Sequence, residues 1–168
     1  MKANQNRRKF LGTAIATGAA AALPSISNEK KSYSSETLVT QLYKSLTEKQ
    51  KSAICFDFDH KLRLAVDNNW HITKPRLGNS YTPDQQALVK EIFMGLHSEK
   101  YAKTVYDQVV HDSGQAGFGD SSIAIFGKPG TGKFEFVLTG RHCTRRCDGD
   151  SVDGTAFGGP IFYGHAAE

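Results

Sequence analysis

Apolar residues first recur with a helical period between residues 35 and 46. Leu38, Val39, Leu42, Tyr43 and Leu46 fall one, three and four positions apart, which places them on one face, with Ser35 as the candidate N-cap. Thr47-Glu48-Lys49-Gln50 sets a glutamine three residues after a threonine. That is a capping box, and it opens a second short helix through Ile54. Thr82-Pro83-Asp84-Gln85 repeats the device with proline in the first turn and predicts a helix burying Leu88, Ile92, Phe93 and Leu96. Ser98 opens another helix, with Tyr101, Ala102, Val105, Tyr106 and Val109 on its face, and Asp112-Ser113-Gly114 closes it.

Elsewhere the period is two. Leu62, Leu64 and Val66 alternate with Arg63, Ala65 and Asp67, predicting a strand or extended arm within 56–70, followed by a turn at Asn68-Asn69. After a Gly-rich turn, Ser122–Phe126 and Phe134–Leu138 read as strands joined by Gly127-Lys128-Pro129-Gly130-Thr131-Gly132-Lys133. The second run continues through Thr139–Cys147 until Asp148-Gly149-Asp150 breaks it, and 157–165 is loop-rich and aromatic. Helices first and strands later predict an α+β fold, with N-terminal helices packed on a small antiparallel sheet built around the 122–147 hairpin.

The first residues change the picture. Arg7-Arg8-Lys9-Phe10-Leu11 precedes an uncharged, Ala-rich stretch from Gly12 to Leu23. This is the layout of a twin-arginine export signal over 1–27, with cleavage after Ala22 or after Ser25-Ile26-Ser27. Residues 28–35 then form a linker and 36–168 a single domain. The expected partner is the twin-arginine export machinery, and the expected location is the periplasm or cell envelope. The apolar stretch is too short for a permanent membrane span, which takes about 20 residues. The formal charge of +4 falls once Lys2, Arg7, Arg8 and Lys9 are set aside. No strong basic patch for nucleic acid remains, and Arg141, Arg145 and Arg146 read as a solvated strand face.

Three cysteines, Cys55, Cys143 and Cys147, are an odd set for an exported protein. Within one strand, Cys143 and Cys147 would lie roughly 13 Å apart at strand rise, against the ~7 Å between Cα atoms that a disulfide allows. Unpaired, partly buried thiols are the expectation.

The chemistry-bearing motifs narrow the function. Gly127 to Lys133 matches a phosphate loop up to its lysine, but Phe134 stands where Ser or Thr should hold magnesium, and a strand follows where a helix should. No nucleotide cofactor is expected. Asp57-Phe58-Asp59 has the Asp-x-Asp form of haloacid-dehalogenase-like phosphatases, followed by His60-Lys61 in place of Gly-Thr, and gives an alternative reading as an exported hydrolase. Of the six histidines, His97 and His111 fit helix-end roles. His142, inside the expected strand, has no propensity reason to be there. A groove around Trp70, His71, Arg141 and His142 is the candidate ligand site. It leaves two occupants open: a divalent metal on His142 and His165, or a small anionic ligand met by the planar fork of Arg141. A third reading is an interaction domain that uses the aromatic C-terminal loop.

Asn69-Trp70-His71, Phe126-Gly127-Lys128-Pro129, Gly140-Arg141-His142 and Gly158-Gly159-Pro160 occur in an order that resembles a family of uncharacterised, usually exported bacterial proteins. The family is known only as a domain of unknown function. Its members carry a Trp-centred segment, a Phe-Gly-x-Pro hairpin, a Gly-His-His-like motif and a later Gly-Pro segment. Arg141 replaces the first histidine of that motif, and the chain stops soon after the last segment. The resemblance therefore implies a shortened member, and it implies no activity.

Overall fold

The computed structural model describes residues 35–67 and 70–149, together with the backbone of Ile161–Tyr163. Residues 1–34, with the Arg7-Arg8 pattern, lie outside the described residues, as do Asn68-Asn69 and most of the aromatic C-terminal stretch.

Helix α1 (Ser35–Ser45) buries Leu38, Val39 and Leu42. Helix α2 (Glu48–Ile54) and, after the one-turn helix α3 (Leu77–Ser80), helix α4 (Pro83–Gly95) both begin with the capping box read from the sequence. The two boxes are joined. Gln50 Nε2 donates to Gln85 Oε1 at 2.9 Å, and Gln85 Nε2 donates to the Ser45 carbonyl at 2.9 Å. Each glutamine closes its own helix start with one amide face and ties the other helix with the second. α1 and α4 approach closely where Gly95 meets Ser35, since a Cβ on Gly95 would lie 2.3 Å from Ser35 Oγ. The buried face of α4 is Gln85, Val89, Ile92 and Phe93. Val89 thus takes the central place expected of Leu88, which with Leu96 packs only partly buried.

Helix α5 (Glu99–Asp112) buries Ala102 and Val109, while Tyr101, expected on that face, is 53% exposed. Two short 3₁₀ turns over Gly114–Asp120, broken at Gly117 (φ 53°), lead into the sheet.

The sheet has five strands in sequential order: β1 (Cys55–Phe56), β2 (Ser122–Gly127), β3 (Phe134–Gly140), β4 (Cys143–Gly149) and β5 (Ile161–Tyr163). The fold is α+β, with the helices preceding the sheet's main part. The sheet is mixed rather than purely antiparallel, because β1 pairs parallel with β2 through Cys55–Ile125 and Phe56–Phe126. The 139–147 run is also two strands and not one. Gly140 pairs with Cys143, so Arg141 and His142 form a two-residue turn. All three cysteines are free.

One face of the sheet packs Ile123, Ile125, Phe136 and Leu138 against the helices. The other packs Ala124, Phe126 and Val137 against Ile72, with Phe56, Leu62 and Trp70 at the margin. Because both faces are covered, β3 is buried at all seven positions, without the alternation of a half-exposed strand.

The cover on the second face is a strap, residues 57–67 and 70–76, and within 56–70 the sequence predicts a strand or extended arm. Lys61–Leu64 is instead a 3₁₀ turn, capped by His60 Nδ1 accepting from the Leu62 amide at 3.3 Å. Leu64 and Val66, whose alternation implied burial, are 77% and 64% exposed. Polar contacts on the sheet override the pattern. Arg146 donates to the carbonyls of Arg63 and Ala65, and pairs with Glu135 at 2.6 Å. Arg63 reaches the same carboxylate at 3.3 Å. Farther along, the Ile72 amide donates to Thr139 Oγ1 at 2.9 Å, and Thr73 Oγ1 donates to the Ile123 carbonyl at 2.9 Å.

Removing one member of a buried pair strands the other charge, at a cost of about 3–5 kcal/mol. Glu135→Ala should therefore lower unfolding free energy by about that amount in urea melts, whereas the exposed Glu91→Ala should change it by less than about 0.5 kcal/mol. A Glu135→Ala cost as small as that of Glu91→Ala would contradict the clamp.

Candidate functional site

His142 is the one non-glycine residue with positive φ (57°) among the described residues. The left-handed region costs an L-residue roughly 1–2 kcal/mol, so glycine or asparagine is the ordinary occupant. The expectation of a histidine inside a strand is thereby corrected: the two-residue turn places it. Its Nδ1 faces Asp112 Oδ2 at 3.5 Å, with side chains only 10% and 8% exposed. Asp112 is the last residue of α5, where the helix dipole disfavours a carboxylate.

A second pair lies at the same end of the sheet. His71 Nε2 faces Asp120 Oδ2 at 3.4 Å, and Arg76 Nε approaches the same carboxylate at 3.7 Å. Trp70 is fixed by its Nε1–H donating to Thr144 Oγ1 at 2.9 Å. Asp120 and Ser121 lead into β2, and Ser121 lies against the start of the turn: a Cβ on Gly140 would sit 3.2 Å from Ser121 Oγ. Ser121 is 1% exposed, yet its hydroxyl has no hydrogen-bond partner among the described residues, and the same holds for the buried Ser113 Oγ beside Asp112. Buried polar atoms are nearly always satisfied, by protein, water or ligand.

Trp70, His71, Arg141 and His142 are thus brought to one end of the sheet, but as separate pairs. Arg141 is exposed on the turn. None of the four lines the cavities of about 590, 510, 310 and 290 Å³ found elsewhere on the chain. His165 lies outside the described residues, and no three His, Cys, Asp or Glu side chains among the described residues form a group that could hold a metal ion. The residues that sequence reasoning missed are Asp112, Asp120 and Ser121. Asp112 and Asp120 border helical turns, and only the fold reveals their histidine partners.

Arg145 and Arg146 do not form a solvated face: they are 2% and 9% exposed. Adjacent strand residues point to opposite faces, so Arg145 faces the helices while Arg146 faces the strap. Arg145 Nε donates to His97 Nε2 at 3.2 Å, and its guanidinium lies 5.4 Å from the centre of the Phe93 ring. His97 Nδ1 is 2.8 Å from the Phe93 carbonyl, which fits the expected helix-end role and assigns the proton to Nδ1.

For the hydrolase reading, Asp57 and Asp59 are both exposed, and only Asp57, which follows β1, lines the 510 Å³ cavity. Burial pushes the Cys55 thiol up to about 11 and the Cys147 thiol up to about 12, so neither is a ready thiolate. Gly127–Lys133 is a hairpin connection between β2 and β3, not a loop feeding a helix.

No family model, curated protein or solved structure matches the chain.

The His97–Arg145 contact carries a pH dependence. Burial, aided by the Arg145 charge, holds the His97 imidazole below its ordinary value of 6.5. A depressed pKa contributes stability that is complete above the ordinary value and lost as pH falls through the folded one. Urea melts across pH 8 to 5 should show wild type losing more stability on acidification than His97→Gln. Equal losses would contradict the contact.

Proposed function

We propose that the protein is a binding domain for a small polar ligand at the end of the sheet formed by the β3–β4 turn. The two His–Asp pairs supply the polar contacts, Trp70 a fixed wall, and Arg141 the exposed rim. The observation that carries this reading is Ser121 Oγ, a hydroxyl on a residue 1% exposed with no hydrogen-bond partner among the described residues, set against Gly140 at the start of the turn that holds His142 in left-handed backbone. Strained backbone and unsatisfied buried polar atoms cluster at sites where the surroundings serve a ligand rather than stability.

Two histidines already facing carboxylates suit hydroxyl, amide or carboxyl groups, whose donors and acceptors fit between imidazole and carboxylate. A metal has less support, since the donors stand as two separate pairs and no third ligand joins either among the described residues. Membership of the uncharacterised exported family stays part of this proposal and rests on the order of the four motifs.

His142→Gly tests the reading cleanly, because glycine adopts the turn's positive φ without strain. Thermal shifts of wild type against pools of sugars, amino acids and dicarboxylic acids, and against zinc and copper ions, should identify a stabilising pool. His142→Gly should stay folded and lose that stabilisation. A shift that survives both His142→Gly and Ser121→Ala, or no shift with any pool, would sink the proposal.

A further inference from the structure

The strap's other end borders a different cavity, of about 510 Å³, walled by Tyr43, Phe56, Phe58 and His60 with Asp57 and Lys128 at its edge. Asp57 leaves β1 and Lys128 leaves β2, the two strands that run parallel. In open sheets the space beyond the carboxyl ends of parallel strands is where ligands collect, because chains diverge there and loops supply the contacts.

Three features make this cavity more than a surface dent. First, its polar groups are not consumed by the protein. Neither the Asp57 carboxylate nor the Lys128 ammonium has an ion pair or side-chain hydrogen bond among the described residues, although opposite charges line one cavity. His60 accepts at Nδ1 from the Leu62 amide, so its neutral ring carries the proton on Nε2 as an available donor. Second, the walls are held rigid. Phe56 stacks on His60 with centroids 4.7 Å apart, and His60 in turn lies 6.4 Å from Phe126. Third, Gly127 (φ 77°) admits no side chain, since a Cβ would lie 2.5 Å from the Lys133 carbonyl and 3.3 Å from Phe58. The loop bearing Lys128 is thereby drawn against the aromatic wall.

The aromatic faces also restrict the ligand. Phe58 already carries Arg63 at 4.2 Å and Lys133 at 4.4 Å, and Tyr43 carries Lys51 at 5.3 Å. A ligand cation would have to displace these to use those ring faces, which leaves the Asp57 carboxylate as its partner. A ligand anion meets Lys128 and the His60 N–H. Asp59 does not line the cavity, so paired-carboxylate chemistry has no second acid here.

We propose that this cavity is a second binding site, independent of the turn end, for an amphoteric molecule of the amino-acid class. Its ammonium lies on Asp57, its carboxylate on Lys128 and His60 Nε2–H, and its apolar body along the rims of Phe56 and Phe58, whose ring faces are already taken by His60, Phe126, Arg63 and Lys133. The volume falls within the range of small-molecule pockets, about 300–1,000 Å³.

Calorimetric titration of the purified protein with phenylalanine, 2-phenylethylamine and 3-phenylpropionate compares the two-headed molecule with each head alone; the other standard amino acids are titrated in parallel. The amino acid that binds best should exceed its amine and acid analogues by about tenfold or more, each head adding one charge-assisted contact. Asp57→Asn should remove most of the advantage over the acid, and Lys128→Gln most of the advantage over the amine. His142→Gly should leave this binding unchanged, so loss of binding at the turn end and loss of binding here are read separately. Equal affinity for a single-headed analogue, no effect of Asp57→Asn, or no binding by any amino acid would overturn the proposal.

Discussion

Two consecutive arginines in a strand buried on both sides must point into opposite layers, and β4 places Arg145 and Arg146 in that position. Each is nearly inaccessible, and taking a guanidinium out of water costs several kcal/mol unless charge and hydrogen bonds replace the water. The replacement defines the architecture. Arg145 meets His97 and Phe93, and so fixes the end of α4 onto one face. Arg146 meets Glu135 and two strap carbonyls, and so fixes the strap onto the other. Hydrophobic burial drives both layers onto the sheet, while the arginines determine where each layer must sit.

The strap's position then governs both candidate sites. Arg146 grips it near Arg63 and Ala65, between the two candidate ends. Toward the N-terminal side lie Asp57, Phe58 and His60, which wall the cavity at the carboxyl ends of β1 and β2. Toward the C-terminal side lie Trp70 and His71, bound to Thr144 and facing Asp120. The two ends differ in character. The cavity end is open, with exposed charges and rigid aromatic walls. The turn end is polar, and it holds a left-handed histidine and a buried serine hydroxyl with no hydrogen-bond partner among the described residues. Both include a histidine whose ring meets a fixed neighbour: His60 Nδ1 accepts from the Leu62 amide, and His142 Nδ1 faces Asp112.

Local signals were legible in the sequence wherever chemistry and structure are neighbours along the chain. The two capping boxes, the strands at 122 and 134, the hairpin nature of the Gly-rich loop and the free thiols all follow from residues a few positions apart. Alternation at Leu62, Leu64 and Val66 misled because a clamp from Arg146, some eighty residues away in the chain, outweighs the period of three side chains. The turn at Arg141-His142 was hidden because neither residue is a typical turn former, and the one turn signal beside it, Gly140, sits in a run that otherwise reads as strand. The buried arginines were read as solvated for the same reason: their partners Glu135, His97 and the strap carbonyls are assembled only by the fold. Trp70, His71, Arg141 and His142 were legible as residues of interest. Their acids, Asp112 and Asp120, were not.

The most direct test of this account is native-state hydrogen exchange on Arg146→Met, which keeps an apolar stem and removes the clamp. Protection should fall sharply at the Ala65 and Ile72 amides, which bond to Leu62 and Thr139, while the amides of α1 and α4 keep theirs. Unchanged protection at Ala65 and Ile72, or equal loss throughout the helices, would contradict the claim that one arginine holds the strap and with it both sites.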